Sequence, residues 1–75
     1  MGNTGQEETD LKELGRRIKS VREAKGITLK ELGYAVDKDP QSLSRVEMGK
    51  INPGFLFLLA ISRGLKVEID ILVKD

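Results

Sequence analysis

The chain has 75 residues and a net charge of +1, with 13 basic side chains against 12 acidic ones. That length holds one domain, near the lower limit for a chain that folds without staples, and the charge leaves any basic surface local rather than global. Cysteine and histidine are both absent, which excludes disulfides, zinc sites of Cys/His type and the usual nucleophile–base pairs, so no metal and no cofactor is expected.

Residues 1–9 are polar and glycine-containing and read as a disordered tail. The domain proper spans residues 10–65, and residues 66–75 form a distinct C-terminal segment. Asp10 has the position of an N-cap, with Glu13 three residues on completing a capping box. Leu11, Leu14, Ile18 and Val21 then repeat at spacings of three and four, and Gly26 closes the helix. Thr28 and Glu31 form a second capping box, flanked by a hydrophobic staple of Ile27 and Leu32. This predicts a short helix to about Val36, with Leu32, Ala35 and Val36 inward. Asp37-Lys38 makes a turn. Asp39 caps a third helix with Pro40 in its first turn, and Gly49 ends it. Asn52-Pro53 repeats the cap-plus-proline signal for a fourth helix, ending near Leu65. In the tail, Val67, Ile69, Ile71 and Val73 alternate with mostly polar residues, which is a strand pattern.

The third helix has an unusual division of side chains. At about 100° per residue, Leu43, Val46 and Glu47 share one arc, while Gln41, Ser44, Arg45 and Met48 share the opposite one. Leu43 and Val46 must face the core, so Glu47 is turned partly inward. A buried carboxylate needs a cationic partner, and Arg22, flanking the Ile18–Val21 stripe, is the best placed. An Arg22–Glu47 ion pair is therefore expected to tie the first helix to the third. The opposite arc would be an ordinary solvated face if taken alone. After a short helix and a tight turn, it suits reading of a DNA major groove, where Arg pairs with guanine and Gln with adenine.

Over residues 14–65, carried by LGRRIKSVREAKGITLKEL, DPQSLSRVEMGK and the following NP, the chain resembles the lambda repressor/Cro (XRE-type) helix-turn-helix family. The resemblance implies a mainly α fold: a lambda-repressor-like helix-turn-helix bundle of four helices, followed by a C-terminal β-strand or a short fifth helix. It makes the third helix the recognition helix, with Gln41, Ser44 and Arg45 on base-reading positions. Thr28, Lys30, Ser42 and Lys50 fall near phosphate-contacting ones. Arg22 and Glu47 match the family's buried ion pair. Three positions depart from the pattern. Leu29 replaces a glutamine that touches phosphate, Asp37 replaces a turn glycine, and Pro40 replaces a side chain that often contacts a base.

The fourth helix contains GFLFLLAI, apolar on every side. Phe55, Leu58, Leu59 and Ser62 make one face; Leu56, Phe57 and Ala60 cover much of the rest. The run is too short to span a bilayer, and no membrane partner is expected. A small domain cannot enclose such a helix on all sides. Leu56, Phe57 and Ala60 therefore predict a partner surface, most simply in a homodimer. Val67, Ile69 and Ile71 extend it if the tail is a strand paired with its copy. The ending GLKVEIDILV also resembles the HipB-type antitoxin subset, whose C-terminal strands pair in the dimer. Two readings follow. One is a cytoplasmic transcriptional regulator, a repressor, binding double-stranded DNA as a homodimer on a palindromic operator. The other is an antitoxin that holds a toxin protein and autoregulates its operon. The dispersed acids and lysines offer no convergent catalytic constellation, so an enzyme is not expected.

Overall fold

The computed structural model describes residues 4–73. They form five helices: α1 Thr4–Ala24, α2 Leu29–Val36, α3 Pro40–Glu47, α4 Phe55–Leu65 and α5 Ile69–Val73. The core is Ile18 from α1, Leu32 from α2, Leu43 and Val46 from α3, Ile61 and Leu65 from α4, and Leu72 from α5. Each helix contributes at least one buried aliphatic residue, so none is peripheral to the bundle. The principal packed pairs are α1 with α3 and α5, α2 with α3 and α4, and α4 with α5.

Two of these crossings depend on missing side chains. Gly15 of α1 meets the backbone carbonyls of Val46 and Glu47, leaving no room for a Cβ. A Cβ on Gly64 of α4 would lie 2.5 Å from Val36 Cγ1 and 2.9 Å from Leu32 Cδ1 of α2. At Gly15 the backbones approach closely and a larger residue must push the helices apart, whereas at Gly64 the side chains of Val36 and Leu32 would have to shift.

The α2 boundaries follow the sequence. The Thr28 hydroxyl accepts from the Glu31 N–H at 3.0 Å, and the Thr28 N–H donates to Glu31 Oε1 at 2.9 Å. The helix ends at Asp37, which adopts a left-handed conformation with φ 59°. On its inner face Leu32 and Gly33 are buried and Val36 is half-buried, but Ala35 is exposed.

Besides Ala35, four expectations need correction. Helix α1 starts at Thr4, so the tail is helical from that residue onward; residues 1–3 lie outside the described residues. Asp10 is accordingly inside α1 and does not cap it; it accepts from Gln6 Nε2 at 2.9 Å. Residues 5–10 are exposed, and no burial pattern announces them. Extending an already nucleated helix costs little, and Glu7 in the first turn suits the helix dipole. At α4 the N-cap is Gly54, without a side-chain hydrogen bond, and Asn52 plays no part in capping; Pro53 is buried.

The fourth correction concerns the tail. Residues 69–73 form α5, the short fifth helix that the resemblance also allowed, and not the expected strand. Lys66 takes a left-handed conformation, φ 61°, and the Val67 N–H returns to the Ser62 carbonyl at 3.0 Å. This turn reverses the chain so that α5 lies on α1 and α4. The deciding residue is Leu72, fully buried, which the alternating pattern had set among the outward positions. A helix satisfies its own backbone, so the need for a partner strand disappears. Residues 74–75 lie outside the described residues.

Candidate nucleic-acid interface

Helix α3 is the only described helix with a proline in its first turn and an aspartate cap. The Asp39 carboxylate accepts from the Ser42 N–H at 2.8 Å and from the Ser42 hydroxyl at 3.0 Å. These bonds, the backbone one foremost, hold the Asp39 carboxyl below its ordinary value. Leu43 and Val46 are buried, as their arc requires. Across the helix, Gln41 and Arg45 are exposed, Ser44 is half-buried and Met48 is exposed. Their spacing of three and four residues puts them in one row.

The inner side of α3 is clamped by a fork. Arg22 Nε donates to Glu47 Oε2 at 2.6 Å, and Arg22 Nη2 donates to Glu47 Oε1 at 3.1 Å. The remaining guanidinium nitrogen, Nη1, donates to the Ile27 carbonyl at 2.8 Å. The two side chains are 10% and 5% exposed, so this is a largely desolvated, bidentate pair. Donating hydrogen bonds to the Glu47 carboxylate raises the Arg22 guanidinium above its ordinary value; burial acts in the opposite direction. One arginine thereby joins α1, the end of α3 and the loop leading into α2.

The other expected contact residues sit around α3 with differing readiness. Thr28 and Lys30 are exposed at the start of α2. Thr28 uses its oxygen as the cap acceptor, which leaves its O–H free to donate. Ser42 is different, because its O–H is already given to Asp39. Lys50 is exposed just beyond α3, its N–H bonded to the Arg45 carbonyl at 2.9 Å. Leu29 turns inward and packs against the core, which accounts for an apolar residue where the resembled family has glutamine.

The expected partner surface divides. On α4, Leu56 is 77% exposed, whereas Phe57 and Ala60 are half-buried. Val67 and Ile69 are half-buried and Ile71 is 53% exposed. Phe55, assigned to the opposite face, is itself 65% exposed. Sequence reasoning passed over Tyr34, 94% exposed on α2, and the Lys38 ammonium, which lies over the Phe57 ring. Tyr34, Lys30, Asp37, Lys38 and Pro40 line an open groove between α2 and the start of α3. A lone tyrosine among polar residues and a lysine in a turn carry no periodic signal that could have announced it.

No helix among the described residues is long and apolar enough to cross a membrane. A family model described as helix-turn-helix matches residues 18–72. No curated protein sequence matches the chain. Among solved structures, the chain is similar to the restriction-modification controller protein C.AhdI from Aeromonas hydrophila. The two share 28% identity over 85% of this chain and 97% of that one, with a TM-score of 0.83. It is also similar to the clp gene regulator ClgR from C. glutamicum, at 32% identity over 83% of this chain and 82% of that one, with a TM-score of 0.78. With its two capped helices, the left-handed turn between them and the clamped third helix inside the matched span, the chain belongs to the XRE-type helix-turn-helix family of DNA-binding transcriptional regulators.

Proposed function

We infer that the protein is a sequence-specific transcriptional repressor that binds a palindromic operator as a homodimer. The observation that carries this reading is the division of α3: Leu43 and Val46 buried, Glu47 clamped by Arg22, and Gln41, Ser44 and Arg45 left on the outer row. A rigidly seated helix with polar forks on its free face is what major-groove readout requires. Arg45 reads a guanine and Gln41 an adenine, each through two hydrogen bonds; Ser44 adds a single one. Pro40 offers only apolar contact, for example to a thymine methyl. Thr28, Lys30, Ser42 and Lys50 bind phosphates and set register. Ser42 must first release Asp39, so its contribution is the smallest of the four.

The homodimer uses α4 and α5 in place of the paired strands. Leu56 and Ile71, with Phe55, form its apolar contact, while Phe57, Ala60, Val67 and Ile69 support that surface from beneath. The toxin-binding alternative drew on a C-terminal strand, and the helical α5 removes that support. Operator titration by the wild type and by Arg45→Ala and Lys50→Ala tests the assignment. Arg45→Ala should lose sequence preference, by about 1–3 kcal/mol at one base pair. Lys50→Ala should weaken all duplexes alike and flatten the salt dependence. If Arg45→Ala bound with unchanged preference, Arg45 would not be a base reader.

A further inference from the structure

Lys38 stands between two fixed residues. Asp37 caps α2 in the left-handed region, and Asp39 caps α3. The Lys38 N–H donates to the Gly33 carbonyl at 2.9 Å. Its own carbonyl lies so close to Gly33 that a Cβ there would be 2.5 Å away. With the backbone held on α2, the side chain crosses to α4 and sets its ammonium 5.3 Å from the centre of the Phe57 ring. Phe57 is half-buried and packs against the core.

The contact joins parts of the bundle that otherwise meet little. Helix α3 packs chiefly on α1 and α2, and α4 chiefly on α2 and α5. Lys38 immediately precedes the α3 cap, so its hold on Phe57 links the entry of α3 to α4. A phosphate-binding role fits the surroundings less well. The groove that Lys38 lines also carries Glu31, Asp37 and Asp39, whose charges locally offset those of Lys38 and Lys30.

We propose that Lys38 is a positioning residue for DNA reading: its cation–π contact with Phe57 anchors the turn that aims the start of α3. The inference rests on the DNA-reading role proposed above. Lysine over an aromatic face at an exposed site changes an equilibrium by roughly two- to fivefold. That amount alters specificity without deciding whether the domain folds.

The test uses the full chain as wild type, Lys38→Met, Lys38→Arg, Phe57→Leu and the double variant Lys38→Met/Phe57→Leu. Each is titrated against a selected operator and a scrambled duplex of equal length, over a range of salt. Lys38→Met should lose roughly two- to fivefold on the operator, with scrambled binding and salt slope unchanged. Lys38→Arg, which keeps a cation over the ring, should restore the operator affinity. The double variant should be no worse than the weaker single variant, because both changes break one contact. In the free protein, the ring current of Phe57 should shift the Lys38 ε-methylene resonance, and Phe57→Leu should abolish that shift. Additive losses overturn the proposal. So does a Lys38→Met variant that weakens both duplexes alike and lowers the salt slope by about 0.9, the mark of a phosphate contact. A wild type that fails to discriminate the two duplexes sinks the DNA reading itself. Discrimination that persists undiminished in Lys38→Met, with wild type discriminating, sinks this proposal alone.

Discussion

The Arg22–Glu47 fork shows how one pair of residues fixes the seating of α3 in the bundle. Glu47 sits on the arc of Leu43 and Val46, so the fold drags a carboxylate inward. Arg22 answers it with two hydrogen bonds and gives a third to the Ile27 carbonyl. Removing one partner leaves the other desolvated and uncompensated. Glu47→Ala should therefore lower the unfolding free energy by about 3–5 kcal/mol, measured from the urea midpoint. Arg22→Met with Glu47→Leu should regain much of that loss. An unchanged midpoint in Glu47→Ala would contradict the clamp. Asp39 acts at the opposite end of α3 and does so through pH. Its folded pKa lies below the ordinary aspartate value of 3.8, because Ser42 donates to the carboxylate. A depressed pKa means that the stabilisation is complete above the unfolded value and is lost as pH falls through the folded one. Asp39→Asn caps a helix about as well without titrating. It should match the wild type near neutral pH and show a shallower loss of stability in acid unfolding below about pH 4. Equal acid sensitivity in the two proteins would remove Asp39 from this role.

At the scale of the elements, close packing sets the limits. The α1–α3 crossing has no space at Gly15, and the obstructing atoms are backbone carbonyls that no rotamer change can move. Gly15→Ala should destabilise the domain by about 1–3 kcal/mol, and should weaken operator binding further by displacing α3. A variant with wild-type stability and affinity would show that the crossing tolerates a wider spacing. The elements that sequence reasoning placed well are those with both ends marked and a single inward stripe. Helices α2 and α3 begin at Thr28 and Asp39 as their caps require, and the inward tilt of Glu47 led directly to Arg22. The failures have physical causes of their own. Residues 5–10 of α1 are exposed and mostly polar, so no burial pattern reveals them. In α5, alternation of Val67, Ile69, Ile71 and Val73 competed with one tertiary fact, the burial of Leu72, which only the assembled bundle supplies. The groove beside Tyr34 and the Lys38–Phe57 contact arise from packing between helices and leave no mark in local sequence.

The whole molecule has a polar row on α3 and apolar side chains left outward on α4 and α5: Phe55, Leu56, Ile71 and Val73 are all half exposed or more. In the proposed dimer these apolar residues meet across a two-fold axis, which makes the contact self-complementary. Leu56→Glu should give a monomer in sedimentation at concentrations where the wild type is dimeric, with its melting temperature little changed, since Leu56 is 77% exposed. Deletion of the tail is a poorer probe, because Leu72 belongs to the core. A Leu56→Glu chain that remained dimeric would place the interface elsewhere. The proposed dimer would also set the distance between two copies of α3, and adjacent major grooves on one side of a duplex are about 34 Å apart.

Both features enter one measurement: sequencing of duplexes that the purified protein selects from a random pool, done with wild type and with Arg45→Ala in parallel. The wild type should enrich two inverted half-sites with centres about one helical turn apart, roughly 10–10.5 base pairs. Arg45→Ala should retain that spacing and lose preference at one base pair in each half-site. A wild-type pool without an enriched motif, or a motif that Arg45→Ala leaves intact, would contradict DNA reading by the outer row of α3.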